Sequence, residues 1–127
     1  SIPQKNRVSY MNAEQLKKLS DKGFEIGSHG ITHSLLIADY MDAEKALNEL
    51  QKSKQWLETI TGKPITAYCF PAGRYNAEMI ELAKQVGYTS TCLVFRNENE
   101  KEALPSYERI FVKPNSFDEL KTALGIR

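Results

Sequence analysis

The sequence is poor in the residues that classify a small protein quickly. Its 127 residues include two cysteines, two histidines and one tryptophan. Two cysteines cannot build the several cross-links of a disulfide-rich miniprotein. No CxxC pair exists for a zinc knuckle. Cys69 and Cys92 each sit in an apolar, strand-like run and read as buried free thiols. A bridge between them stays open, since geometry decides it. Net charge is nearly absent: 17 Lys+Arg against 16 Asp+Glu leave +1. No strong field draws the chain to nucleic acid or to an acidic membrane surface. No uncharged apolar run approaches the roughly 18 residues of a transmembrane helix. The polar start, residues 1–7, has no signal-peptide hydrophobic region, so the compartment is unassigned. Seven glycines and five prolines are too few for collagen or a low-complexity tail.

What remains is an ordinary globular composition, 41% hydrophobic and 26% charged. The length suits one domain, residues 1–127. Asn12-Ala13-Glu14-Gln15 is a capping-box variant, followed by Leu16 and Leu19 on one face and a stop at Gly23. Phe24 to Ser28 reads as a short strand. A long helix should start near Asp42, with Ala46, Leu47, Leu50, Trp56, Leu57 and Ile60 on its core face, and end at Gly62 and Pro64. Ile65 to Phe70 is a nearly continuous apolar strand, as expected where both faces are covered. Asn76 caps a helix that Gly87 stops. Tyr88 to Phe95 is a third strand, Arg96 to Ser106 a loop, and Ile110 to Val112 a brief strand. Ser116-Phe117-Asp118-Glu119 is a capping box opening a last helix to about Leu124. This alternation predicts an α/β fold of parallel strands with helical crossovers. Chemistry in such folds sits beyond the C-terminal ends of the strands. Two loops occupy that place, His29 to His33 and Pro71 to Tyr75.

The two histidines stand four apart. In one helical turn their side chains would point the same way and could hold a borderline metal such as zinc through neutral nitrogens. Ser28 and Thr32 are placed to supply the supporting contacts that fix their tautomers. Two surface histidines in a polar loop is the plainer alternative. A catalytic zinc also takes a third protein ligand, and no Asp or Glu nearby is an obvious one. Arg74 could hold an acetate or pair with Glu78. Tyr75 could line a groove or pack beneath its loop. Trp56 reads as core, and the run Asn97 to Glu102 as a solvated loop.

Gly23-Phe24-Glu25-Ile26-Gly27-Ser28-His29-Gly30-Ile31-Thr32-His33 resembles the second motif of the polysaccharide deacetylases, G-x-E-I-G-S-H-[ST]-x-x-H (the NodB-homology domain, carbohydrate esterase family four). Tyr68-Cys69-Phe70-Pro71-Ala72-Gly73-Arg74-Tyr75-Asn76 resembles the third, A-Y-P-Y-G-R-Y-N. Ile80 to Tyr88 and Leu104 to Ile110 match segments that follow in that family. The resemblance implies a distorted (β/α) barrel with a metal site at its mouth. It implies metal-assisted removal of acetyl groups from N-acetylated polysaccharide. It makes His29 and His33 the metal-binding imidazoles. Pro71, Ala72, Gly73, Arg74 and Tyr75 become the substrate-binding wall, with the Ala72 backbone N–H on the oxyanion. The implied cofactor is a divalent metal, zinc first.

The departures shape the expectation. The first family motif, T-F-D-D-G, which supplies a general-base Asp and a metal-ligating Asp, is absent. No histidine follows His33, Gly30 replaces the usual Ser or Thr, Ala72 replaces an aromatic, and Cys69 stands where many members carry Arg. Arg109 could reach the family's catalytic Asp or form a structural ion pair. A complete barrel usually needs about 200 residues or more, and this length holds about four βα units. The expectation is therefore a partial (β/α) barrel, the C-terminal part of a deacetylase, weak or inactive alone. The alternative is a non-catalytic deacetylase-like module for carbohydrate binding or assembly. Open sheet edges would also allow two copies to pair.

Overall fold

Among the described residues, three of the four α-helices begin at a side chain that takes up a free amide. In α1 (Ala13–Asp21) Asn12 accepts from the Gln15 N–H at 2.9 Å and the Gln15 side chain accepts from the Asn12 N–H at 3.0 Å, a complete capping box. Asp42 accepts from the Lys45 N–H at 2.8 Å at the head of α2 (Ala43–Thr61). Asn76 accepts from the Met79 N–H at 2.9 Å at the head of α3 (Ala77–Val86). Each such cap stabilises its helix by about 1 kcal/mol. Gly62 and Gly87 close α2 and α3 in the left-handed conformation, where the sequence places the stops. The last helix, α4, spans Phe117–Ala123. The computed structural model describes residues 9–36, 42–94, 103–109 and 117–125. Ser116 and the strand expected at Ile110 to Val112 lie outside them.

The sheet is parallel and ordered β1-β2-β3, with β1 Ala67–Cys69, β2 Ser90–Leu93 and β3 Ser106–Glu108. Ala67 pairs with Ser90, Tyr68 with Thr91 and Cys69 with Cys92. Thr91 pairs with Ser106 and Leu93 with Glu108. Helix α3 is the crossover from β1 to β2. Both apolar runs are strands only in their middles, and β3 begins at Ser106, where a loop was expected. Cys69 and Cys92 are free thiols, half-buried and neighbours in register.

The strand expected at Phe24 to Ser28 shrinks to one bridge, Ser28 to Tyr68. Phe24 is 62% exposed and only Ile26 is half-buried before Ser28, so the segment lacks the buried face a ladder needs. Burial in β1 alternates instead of covering both faces. Tyr68 is fully buried, while Ala67 and Cys69 are half-buried. The Tyr68 side carries the core: Leu36, Ala46 and Leu50 with Ile65, Phe70, Met79, Ile80, Ala83 and Tyr88. The Tyr68 ring meets Phe70 at 5.2 Å and Tyr88 at 5.3 Å. Trp56 is not in this core but 65% exposed. At roughly 100° per residue it stands about a quarter turn from the line of Ala46, Leu50, Ser53 and Leu57.

Candidate metal centre and its loops

Parallel pairing brings the two motif loops together. The Ser28 N–H donates to the Ala67 carbonyl at 2.9 Å, and the Cys69 N–H donates to the Ser28 carbonyl at 2.8 Å. Ser28 and Cys69 therefore end side by side and run the same way. Their following loops leave the sheet at the same end, the end where parallel folds keep their chemistry.

His29 spans the gap between the two loops. Its Nδ1 lies 2.7 Å from the Cys69 carbonyl oxygen. A carbonyl only accepts, so Nδ1 carries a proton, and in the neutral tautomer this selects, Nε2 has the lone pair that a metal needs. This is the arrangement by which an outer partner fixes a ligating histidine. The His33 ring lies edge-on to the His29 ring, centroids 4.9 Å apart. No helical turn makes this proximity. The segment is a series of bends, and His33 itself has φ 57°. Both histidines are exposed. The chemistry of this donor pair fits two positions of a borderline divalent site. Among the described residues, no group of three or more His, Cys, Asp or Glu stands together as a complete ligand set.

The supporting contacts differ from those expected of Ser28 and Thr32. Ser28 is buried and its hydroxyl donates into the core, to Ser53 Oγ at 2.7 Å. Ser53 in turn donates to the Leu50 carbonyl at 3.1 Å. Thr32 turns to Glu49, a residue the sequence reading did not single out. Glu49 Oε2 accepts from the Ile31 N–H at 2.8 Å and the Thr32 N–H at 3.1 Å. Glu49 Oε1 accepts from the Thr32 hydroxyl at 2.8 Å. The residue is only 6% exposed. Burial pushes its carboxyl up, but the three hydrogen bonds outweigh burial and hold it below the ordinary value. Gly30, at φ 82°, lies against this carboxylate and the Tyr68 hydroxyl. That hydroxyl is buried with no hydrogen-bond partner among the described residues, and burial raises its pKa.

The second loop is a 3₁₀ turn, Pro71–Gly73. The Gly73 N–H donates to the Phe70 carbonyl at 2.9 Å and the Arg74 N–H to the Pro71 carbonyl at 3.2 Å. Pro71 and Gly73 are buried, while Ala72 is exposed at φ 54°. Gly73, at φ 66°, packs so closely on Val94 that a Cβ would stand 2.2 Å from its Cγ2. Tyr75 is half-buried with its ring 6.0 Å from Phe70, so it packs beneath the loop. Arg74 is exposed, and among the described residues no ion pair joins it to Glu78.

Fold and loops together define part of a (β/α) barrel with its candidate site beyond the strand ends. The polysaccharide deacetylase family model matches residues 4–91, and the chain belongs to that family. It is similar to the peptidoglycan deacetylase of Helicobacter pylori, 34% identical over 76 residues, 60% of this chain and 25% of that protein. It superposes on BC0361, a polysaccharide deacetylase from Bacillus cereus, with a TM-score of 0.74 at 23% identity, covering 90% of this chain and 36% of that one. BA3943, a CE4 family pseudoenzyme from Bacillus anthracis, gives a TM-score of 0.58 at 21% identity, covering 63% of this chain and 28% of that one. The chain spans about a quarter of the length of the curated relatives it matches.

Proposed function

We propose that this chain carries part of the site of a metal-dependent polysaccharide deacetylase, with His29 and His33 as two of the metal-holding groups. The observation that carries the reading is the 2.7 Å bond from His29 Nδ1 to the Cys69 carbonyl, which turns the other ring nitrogen, Nε2, to the ligand role in a family that is generally metal-dependent. When bound, a divalent metal polarises an acetyl carbonyl and acidifies water. The chain's own residues do the rest of what can be assigned. The Cys69 carbonyl orients the His29 ring, and His33 stands edge-on beside it. The Pro71–Gly73 turn would form a wall of the substrate site, and the backbone N–H of Ala72, an exposed residue, would meet the developing oxyanion. Arg74, exposed and without an ion pair among the described residues, would hold a carboxylate or the released acetate. The substrate class is an N-acetylated glycan. Among the described residues no group of three or more His, Cys, Asp or Glu completes a ligand set, so the chain alone should release little or no acetate.

The test is a zinc and cobalt titration of the wild-type chain, of His29→Ala and of His33→Ala, with acetate release from N-acetylglucosamine oligomers followed in parallel. The expected result is weak binding that either substitution abolishes. Binding that is indifferent to both histidines would overturn the reading. A second reading, a non-catalytic glycan-binding module, is favoured by the lack of a complete ligand set among the described residues. Glycan binding that persists without metal, and in the double histidine variant, would select it.

A further inference from the structure

His29 and His33 flank Gly30, Ile31 and Thr32, three residues with no helix or strand to hold them. The ring separation of 4.9 Å therefore depends on whatever fixes that short backbone. One side chain does so from outside the loop. We infer that Glu49 is the positioning residue of the histidine pair. Its carboxylate clamps two consecutive amides and the Thr32 hydroxyl, and so fixes where His33 stands relative to a His29 ring that the Cys69 carbonyl already orients. This inference rests on the reading of His29 and His33 as metal ligands.

Three features make Glu49 suited to the task. An ionised carboxylate is acceptor-only, and it meets donors alone: two N–H groups and one O–H. It stands on the second turn of α2, which Asp42 caps and which the Ser28–Ser53 hydroxyl bond ties to the strand end beside His29. It is buried, so solvent does not compete for these bonds. Both of its oxygens already accept from the loop, which separates its role from that of a third metal ligand. Gly30 completes the arrangement. At φ 82° it lets the chain turn against Glu49, where an added Cβ would lie 3.0 Å from Oε2.

The test compares the full wild-type chain with Glu49→Gln and Glu49→Leu. Glutamine keeps an oxygen for the two amides and can donate to Thr32 Oγ1, so it holds the geometry while losing the charge. Leucine keeps bulk and loses every acceptor. Two readouts are taken: hydrogen exchange of the Ile31 and Thr32 amides without metal, and cobalt affinity. In E49L, exchange at both amides should rise about tenfold or more, and cobalt affinity should fall by about tenfold or more. E49Q should stay within about threefold of wild type on both. A folded E49L with wild-type exchange and affinity would overturn the inference. So would an E49Q that falls as far as E49L, because charge rather than positioning would then be at work. Should E49L not fold, Thr32→Val removes one of the three bonds without burying a charge. It should speed Thr32 exchange and weaken cobalt binding several-fold, and no change in either would overturn the inference. A wild-type chain that binds no cobalt sinks the metal reading, while the exchange comparison still decides whether Glu49 holds the loop.

Discussion

Replacing Gly30 by serine should damage this protein, although Ser or Thr is the residue its motif resembles most. The magnitude follows from two terms. Gly30 has φ 82°, and a non-glycine residue in the left-handed region costs about 1–2 kcal/mol. A Cβ there would also lie 3.0 Å from Glu49 Oε2 and 3.2 Å from the Tyr68 hydroxyl. Neither neighbour can give easily. Glu49 is held by three hydrogen bonds and Tyr68 is fully buried. A hydrogen bond to a charged group is worth about 1.5–3 kcal/mol, so partly losing one adds about 1 kcal/mol. The expected loss for G30S is about 2–3 kcal/mol, a large share of the stability of a domain this size. Urea unfolding of the wild type, G30S, G30A and G30N measures it. Asparagine tolerates left-handed backbone better than alanine, so G30N should recover part of the first term and none of the second. Cobalt affinity should fall in G30S, because the new side chain pushes on the carboxylate that holds the loop. A G30S variant within about 0.5 kcal/mol of wild type would refute the reasoning, since ordinary surface substitutions stay within that range.

Gly73→Ala should cost about 3 kcal/mol or more, from φ 66° and a Cβ 2.2 Å from Val94 Cγ2. Adding Val94→Ala should restore little of that loss in chemical denaturation, because alanine keeps a Cβ 2.4 Å and a backbone nitrogen 2.9 Å from the new Cβ. Tyr68→Phe removes a buried hydroxyl that has no partner among the described residues. Its thermal stability should therefore be unchanged or higher by up to about 1 kcal/mol, and a loss beyond that would mean the hydroxyl is satisfied. Glu49 titrates below its ordinary value of 4.5 in the folded chain. Its contribution is therefore complete above 4.5 and is lost as pH falls through the lower folded value. Unfolding curves from pH 7 to 3 should show a larger acid-side loss in wild type than in E49Q, where Glu58, held below its ordinary value by Lys54 and the Ile65 N–H, still contributes its own.

The parts of this structure that were legible in the sequence are those decided within a few residues. Asn12, Asp42 and Asn76 each reach an amide three positions on, so the helix starts could be read directly. Strand limits were less legible because a partner decides them. Phe24 to Ser28 has strand composition, but only Ser28 finds a bridge. Trp56 fitted a loose hydrophobic period, yet about a quarter turn took it out of the core. The histidine pair was visible from its spacing, but the reason offered, one helical turn, was not the one the chain uses. His29 is oriented by a carbonyl forty positions on, and the two rings meet through bends. Glu49 is the sharper case. Its partners lie 17 and 18 positions back, beyond any local pattern. One local signal did exist. Glu49 lies three residues after Ala46 and four before Ser53, both on the buried side of α2. A carboxylate on that side cannot remain charged without donors, and the helix's own amides are already committed. The donors had to come from a neighbouring segment with free amides, and a polar loop lacking regular structure is the segment that has them. The misplaced charge on α2 and the unsupported loop between the histidines were two halves of one arrangement.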